Sequence, residues 1–256
     1  MFKLFRETVV MADLSDTAKR NELNGMFWQT LKTPALPCIG DPIKATRIFH
    51  SNLAAITWNS LSTLEQNPAT LPQTSTILAG QSVGGISIDD LMQVKNFADG
   101  AKKLIEMVRS GTFNLDIETA CALHQYVGKE EALDWGVLRY SKVSIQGTAY
   151  IPPNASLLPS IAEKGFSFLR NQIVNPIERA FAAFLFMSRS QFFFDANKRT
   201  SVLMMNGILL SNGYYPVTVL KKDSEVFYAK LAVFYETGDA DDMMEFLGSL
   251  AGQMYE

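Results

Sequence analysis

The chain has 256 residues, 47% of them hydrophobic and 11% aromatic, enough to bury a sizeable core in one large domain or two small ones. Lys and Arg number 23 against 26 Asp and Glu, and these charges are scattered along the chain. That balance argues against an electrostatic grip on nucleic acid or on anionic lipid. The two cysteines, Cys38 and Cys121, are too far apart for a CxxC motif, which excludes a disulfide framework and a zinc knuckle.

The apolar segments are short. The longest run, FAAFLFM from Phe181 to Met187, is far below the length that spans a membrane. The start, MFKLFRETVVMADLSD, has no apolar core of the kind a signal peptide needs. These features predict a protein of the reducing cytoplasm, with neither nucleic acid nor a membrane as its partner.

Apolar residues recur at mixed spacings of three and four over residues 48–64 and 86–110, which predicts two amphipathic helices. Residues 141–153, SKVSIQGTAYIPP, are rich in β-branched side chains and predict a β-hairpin that turns at Gln146 and Gly147. The remaining segments are of helical length, so the fold class expected is all-α with one short hairpin.

The clearest helix start is NPIERAFAAFLFMSRS. Asn175 is placed to cap the helix, Pro176 falls at its first position, and Glu178 falls where a capping box has an acid. The apolar residues that follow predict a buried, central helix.

A second helix is predicted over residues 196–212, with Asp195 as its N-cap and Gly213 as the left-handed residue beyond its C-terminus. Two apolar helices joined by a short loop are expected to pack as an antiparallel pair. The functional loop is expected at their join.

That loop combines an acid with two adjacent cations. The start of the second helix exposes free backbone N–H groups and the positive end of the helix dipole, which together attract an anion. Lys198 and Arg199 fall in its first turn, where cations are unfavourable unless an anion is present, and Asp195 is placed to hold a divalent metal beside it. The pattern suits the phosphates of a nucleotide; the alternative is a capped helix with two solvated cations.

QFFFDANKR (191–199) resembles the signature loop of the Fic family (filamentation induced by cyclic AMP), HxFx(D/E)GN(G/K)R. The matching residues are Phe193, Asp195, Asn197, Lys198 and Arg199. DANKRT is similar to the related Doc toxins, which also carry Lys at this place. ALHQYV, GVLR and VSIQGTAYIPP, upstream of the loop, and EQNPATLPQTSTILAGQSVGG, nearer the start, resemble further family segments in the family order. On these residues the chain is identified as a member of the Fic family.

The resemblance implies an all-α, Fic-type helical bundle with one short β-hairpin flap. It also implies an N-terminal helical region with an inhibitory-type segment over residues 1–105. The Fic core and the C-terminal helices would follow over residues 106–256, and the two parts would form one compact unit.

The activity that the resemblance implies is transfer of AMP from ATP to a hydroxyl of a target protein, with Mg as the metal. Asp195 would bind the Mg that bridges the phosphates. The nucleotide-binding residues expected are Asp195, Ala196, Asn197, Lys198 and Arg199. The target protein would lie along the flap, which consists of Ile145, Gln146, Gly147, Thr148, Ala149 and Tyr150. The resemblance is also compatible with a homodimer.

Gln191 occupies the position of the family's catalytic histidine. A primary amide has no useful basicity near neutral pH, and general-base help is typically worth roughly 10² to 10⁴ in rate. The chain has only two histidines, His50 and His124, and His124 is expected to be a structural residue of its helix rather than a relocated base. Catalysis at Gln191 is therefore expected to be atypical or weak.

Glu65 matches the acid of the family's inhibitory motif, (S/T)xxxE(G/N). Leu61 stands at the Ser/Thr position, and Val202 stands where the family has the second Arg that pairs with this acid. Glu65 is expected either to be a solvated helix residue or to contact Lys198 or Arg199 instead.

Three functions stay open at this point. The first is an atypical Fic enzyme that binds ATP with Mg. The second is a non-catalytic Fic-fold module that binds a nucleotide or a protein. The third, a Doc-like kinase, rests on Lys198, but the family needs a histidine for that reaction too.

Overall fold

A computed structural model of the protein describes residues 20, 22–28 and 36–250. Within this part of the chain there are ten α-helices and two short 3₁₀ helices, and no β-sheet beyond two isolated bridges. In chain order the α-helices are α1 (Pro42–Ser51), α2 (Leu53–Leu64), α3 (Leu71–Leu78), α4 (Ile88–Ser110), α5 (Ile117–Val127), α6 (Leu158–Gln172), α7 (Pro176–Ser190), α8 (Asn197–Ser211), α9 (Ser224–Thr237) and α10 (Asp241–Ser249). The predicted all-α bundle is confirmed.

Some of the predictions fall on other residues. The start without a signal-peptide core, the rest of residues 1–19, residues 21 and 29–35, and residues 251–256 lie outside the described part of the chain. Among the described helices, none combines the length and the apolar character that crossing a lipid bilayer requires.

The helix predicted over residues 48–64 is in fact two helices, α1 and α2, divided at Asn52. The backbone N–H and the side-chain Nδ2 of Asn52 both donate to the carbonyl of Ile48, at 3.1 and 2.9 Å, which ends α1. The Asn52 carbonyl then accepts from Ile56 N and begins α2. The other predicted helix is confirmed as α4, which Ser87 caps.

The predicted β-hairpin is wrong in its strands, although its turn is confirmed. Residues 141–153 form an irregular loop that turns at Gln146 and Gly147, where Gly147 has a φ of 80°. The ends of this loop are held by one guanidinium: Arg139 donates to Ser141 O at 2.8 Å and to Pro153 O at 2.6 Å. Because these side-chain bonds close the loop, no ladder of strand hydrogen bonds is needed.

The central helix α7 begins with the predicted cap and the predicted first residue, but Glu178 does not complete a capping box. Asn175 Oδ1 accepts from the N–H groups of Ile177 and Glu178, and Pro176 is the first helical residue. The Glu178 carboxylate accepts from the indole of Trp28 at 2.7 Å, which ties the segment 22–28 to α7. Every residue of α7 from Ala180 onward is buried, so this helix lies in the middle of the bundle.

Helix α8 packs against α7 and begins one residue later than predicted. Its N-cap is Ala196, with a left-handed φ of 55°, and not Asp195. Asp195 instead accepts the N–H of Ala196 within the loop. Gly213, beyond the end of α8, is left-handed as predicted, with a φ of 75°.

An extended segment, residues 216–220, connects α8 to α9 and fastens α9 near α2. Asn206 of α8 makes two hydrogen bonds to the backbone of Val217, at 2.8 and 2.9 Å. The hydroxyls of Ser60 and Thr218 bond at 2.9 Å. These contacts hold the end of α2 beside the start of α9. Both helices contribute residues to the wall of the site.

Close packing in the core predicts a strict requirement for glycine in α6. A Cβ at Gly165 would lie 2.1 Å from the ring of Phe186, which is fully buried in α7. We expect Gly165→Ala to lower the free energy of unfolding by about 1–3 kcal/mol, although Ala favours the helix by up to about 1 kcal/mol. Urea unfolding measures this; Gly84→Ala, with open space around its Cβ, is the control. Equal stability of Gly165→Ala and the control would contradict the packing.

Candidate functional site

The α7–α8 loop, residues 191–196, is shaped by two left-handed residues that are not glycine. Gln191 has φ 49° and ψ 62°, and Ala196 has φ 55° and ψ 20°. Each conformation costs roughly 1–2 kcal/mol for a residue with a Cβ. The loop therefore needs strong anchors, and it has them at both ends.

The side chain of Gln191 is one of these anchors. Its Nε2 donates to Ser188 O at 2.7 Å, and its Oε1 accepts from Asn197 Nδ2 at 3.1 Å. The side chain is buried, with 8% of the residue exposed. Both polar atoms are engaged within the protein, so Gln191 joins the end of α7 to the start of α8.

Asn197 clamps the middle of the loop. Its Oδ1 accepts from Phe193 N at 2.9 Å, and its Nδ2 donates to Phe193 O at 2.8 Å. Phe193 is fully buried and stacks on the ring of His124 with centroids 3.9 Å apart. The backbone path from Phe193 to Asn197 is thus fixed by the side chain of Asn197 and by burial of the Phe193 ring.

His124 is a structural residue, as expected. Gly136 N donates to its Nδ1 at 2.9 Å, so the proton lies on Nε2, which donates to Asp195 O at 3.1 Å. Burial lowers the pKa of His124 to about 4. The imidazole is neutral at physiological pH, and it supports the carbonyl of Asp195 from below the loop.

Arg139 joins the loop to the flap (residues 145–150). Besides closing the segment 141–153, its Nε donates to Gln191 O, and its backbone N–H donates to Phe192 O at 2.9 Å. Burial lowers the pKa of this guanidinium below its ordinary value. One buried cation therefore sets the position of the flap relative to Gln191.

Arg199 is 1% exposed and lies among three carboxylates. Its Nη1 donates to both oxygens of Glu131 at 2.8 Å, its Nε lies 3.1 Å from Glu65 Oε1, and its Nη2 donates to Asp195 Oδ1 at 3.4 Å. The Nε–H is not directed at Glu65, so that contact is an ion pair without an aligned hydrogen bond. The charge of Arg199 is therefore already neutralised within the protein.

Glu65 contacts Arg199, which is the alternative expected in the absence of a second Arg at Val202. Burial raises the pKa of Glu65 above its ordinary value, an effect that the nearby Arg199 and Lys198 oppose. Its backbone position is fixed because Tyr228 donates from its hydroxyl to Leu64 O at 2.9 Å. Glu65 is not a solvated helix residue.

Lys198 differs from its neighbour Arg199. Among the described residues no carboxylate forms a salt bridge with Lys198, and its ammonium lies 5.8 Å from the ring centre of Tyr228. The side chain of Asp195 is 55% exposed. Lys198, in the first turn of α8, and the exposed part of Asp195, in the loop, are thus accessible to a ligand.

A cavity of about 640 Å³ opens beside the loop. It is bounded by the end of α2, the flap, the loop, the first turn of α8 and the inner side of α9. The candidate residues that border it are Glu65, Gln191, Asp195, Asn197, Lys198 and residues 145–148 of the flap. Ala149, Tyr150, Ala196 and Arg199 were also candidates, but they do not border it.

Residues 114–209 match the family model described as "Fic/DOC family". The chain belongs to the Fic/DOC family. A protein adenylyltransferase Fic of Drosophila sechellia is 30% identical over 189 residues, which are 72% of this chain and 38% of that protein. The chain thus spans less than two-fifths of the length of this Fic relative.

Solved Fic structures share the fold. Fic-1 from C. elegans superposes with a TM-score of 0.69 at 18% identity, covering 82% of this chain and 68% of that one. IbpAFic2 in complex with adenylylated Cdc42 superposes with a TM-score of 0.53 at 18% identity, covering 86% and 66%. The Fic domain of this chain is related to protein adenylyltransferases.

Three side chains that make contacts around the site are not singled out by the sequence pattern. They are Glu131, which binds Arg199; Tyr228, which faces Lys198; and Arg189, whose guanidinium lies 4.1 Å from the ring centre of Tyr150. Arg189 has its hydrogen bonds to the carbonyls of Asn24, Phe234 and Tyr235, and so fastens the end of the flap. A charged residue within an apolar helix was the only sequence signal, and it applied to Arg189 alone.

The burial of His124 predicts a pH-dependent stability. Between the ordinary value of 6.5 and about 4 the unfolded chain takes up a proton at His124 that the folded chain does not, so stability falls as the pH is lowered through this range. We expect His124→Phe to be about 1–3 kcal/mol less stable at pH 7 and to lose less stability on acidification. Urea unfolding at several pH values measures both.

The control for this prediction is His50→Gln, at an exposed position of α1. It is expected to keep the pH dependence of the parent. A His124→Phe protein with the full pH dependence of the parent would show that another group is responsible.

Proposed function

We propose that the cavity binds ATP together with Mg, and that this protein transfers AMP to a protein hydroxyl only slowly. The observation that carries the proposal is Lys198: it borders the cavity in the first turn of α8 and has no carboxylate salt bridge among the described residues. An ammonium placed beside free helix N–H groups attracts phosphate. The cavity volume of about 640 Å³ falls within the range of small-molecule sites.

The donor set suits Mg held jointly with phosphates. Among the described residues, no group of three or more His, Cys, Asp and Glu side chains is arranged to hold a metal by itself. Mg usually takes one or two protein carboxylates, with phosphate and water oxygens completing the octahedron. Asp195, exposed beside Lys198, would be that carboxylate. The metal, when bound, neutralises phosphate charge.

The slow transfer follows from the chemistry of Gln191. A hydroxyl that attacks the α-phosphorus must lose its proton, and the neutral amide of Gln191 has no basicity to accept it. Both polar atoms of that amide are also engaged with Ser188 and Asn197. His124 offers no substitute because its Nε2 carries the proton and donates to Asp195 O.

A protein is the proposed acceptor. Flap residues 145–148 border the cavity, and the turn at Gln146 and Gly147 is exposed to solvent, so an incoming peptide has an edge to lie against. The structurally similar IbpAFic2 was solved with adenylylated Cdc42, which supports a protein acceptor.

Nucleotide binding is tested by calorimetry with ATP and Mg. We expect Lys198→Ala to weaken binding at least about tenfold, because a charge-assisted contact to phosphate is lost. Lys164→Ala, at an exposed position of α6, is the matched control and should bind as the parent does. Equal binding by Lys198→Ala and the parent would remove the phosphate site from this loop.

The missing base is tested by restoring it. With ATP labelled at the α-phosphate and a cell lysate as the source of acceptors, we expect Gln191→His to transfer label roughly 10² to 10⁴ times faster than the parent. Gln191→Asn, which keeps an amide, is the control. Label transferred from the γ-phosphate instead would indicate a kinase.

A second candidate is a nucleotide-binding module without turnover. The internal engagement of the Gln191 amide favours it. ATP binding that depends on Lys198, with no transfer by either the parent or Gln191→His, is the result that would replace the slow enzyme by this module.

A further inference from the structure

The three carboxylates around Arg199 do not hold it equally. Glu131 makes two contacts of 2.8 Å to Nη1, both with hydrogen-bond geometry. Glu65 makes one ion contact of 3.1 Å that is not aligned with the Nε–H, and the Asp195 contact is longer still at 3.4 Å. Aligned, charge-assisted hydrogen bonds are the stronger kind. Glu131 is therefore the principal partner of this guanidinium.

Glu131 is itself held in place from the other side. Gln93 of α4 donates from Nε2 to Glu131 Oε2 at 2.9 Å. The Oε1 of the same Gln93 accepts from Asn67 Nδ2 at 2.9 Å. Asn67 lies two residues after Glu65, in the turn that ends α2, and its Oδ1 accepts from Ala69 N at 3.0 Å.

These contacts form a closed ring. It runs from Arg199 to Glu131, Gln93 and Asn67, along the backbone to Glu65, and from Glu65 back to Arg199. Between Glu65 and Asn67 the backbone turns at Gln66, which is left-handed with a φ of 55°. Glu65 is therefore connected to Glu131 through both sides of the ring.

The ring also sets the charge near the cavity. Glu65, Glu131 and Asp195 face Arg199 and Lys198, which leaves one surplus negative charge when all are ionised. Arg199 does not border the cavity; its guanidinium contacts Glu131, in the segment after α5, and the carbonyl of Val127. Two carboxylates that share one guanidinium also repel each other, which offsets part of their attraction to it.

We propose that Glu131 is a positioning residue that holds Arg199 away from the cavity, and so limits how strongly Arg199 attracts either Glu65 or the phosphates of a bound nucleotide. The part that concerns phosphates rests on the proposed function; the part that concerns Glu65 does not. Phosphate binding then falls mainly to Lys198, and Arg199 becomes available only where Glu131 releases it.

The first experiment uses no nucleotide. The charged groups that face Glu65 are Arg199, Lys198, Asp195 and Glu131. Replacing Glu131 by Gln removes one of the negative charges and frees Arg199 for Glu65. We expect carboxyl NMR of the full chain to show the Glu65 pKa falling by at least about 0.5 in Glu131→Gln.

The neighbouring Glu130 supplies the matched control. It is exposed, lies on the same turn, and pairs only loosely with Lys129 at 3.6 Å. Glu130→Gln should leave the Glu65 pKa unchanged. Glu131→Asp keeps the charge, so its Glu65 pKa should lie nearer to that of the parent. This variant also serves as the comparison if Glu131→Gln fails to fold. Equal Glu65 pKa values in Glu131→Gln and Glu130→Gln would overturn the proposal.

The second experiment measures ATP affinity, with Mg, in a double-mutant cycle. When Glu65 is present, it binds the Arg199 that Glu131→Gln releases. Glu131→Gln alone should therefore change the ATP affinity less than about twofold. In the Glu65→Gln background no such competitor remains, and Glu131→Gln should raise affinity about three- to tenfold. An equal effect in the two backgrounds would contradict the shared guanidinium. Absence of ATP binding in all four proteins would defeat the proposed function and leave the pKa test standing.

Discussion

The buried guanidinium of Arg199 is the interaction on which the site depends. A charge with 1% exposure is tolerable only with close partners of opposite sign, and removing one partner of such a group typically costs about 3–5 kcal/mol. Its partners are Glu65 in the turn after α2, Glu131 in the segment after α5, Asp195 in the loop before α8, and the carbonyl of Val127 at the end of α5. The cavity thus lies beside a buried ion cluster, of which Glu65 and Asp195 border it.

A second consequence concerns the different positions of two adjacent cations. Lys198 and Arg199 follow each other in sequence, but the helical turn sends one to the cavity and the other into the interior. Arg suits the interior because its planar group accommodates several carboxylates at once. Lys suits the cavity because a flexible stem carries its compact charge. The two adjacent cations therefore lie in two different environments.

Much of the fold was readable from the sequence. The cap at Asn175, the left-handed Gly213 and the burial of α7 follow from local rules, and the family follows from the order of short motifs. The prediction of hairpin strands was wrong because the Arg139 guanidinium closes the loop by binding carbonyls 2 and 14 residues away. Local β-propensity carries no information about such a contact. Glu131 was missed for a similar reason: one acid in a polar turn is unremarkable until the fold brings Arg199 to it.

The hydrogen bonds between α2 and the chain after α8 bear on how the protein is made. Ser60 and Thr218 are 158 positions apart, and Leu64 and Tyr228 are 164 apart. Synthesis proceeds from the N-terminus at about 5–20 residues per second, so α2 is made roughly 8 to 30 seconds before its partners. During that interval the wall of the cavity that carries Glu65 lacks its hydrogen bonds to Thr218 and Tyr228. The site is therefore completed late. A nascent chain that stops before α9 contains the α7–α8 loop but lacks one wall of the cavity.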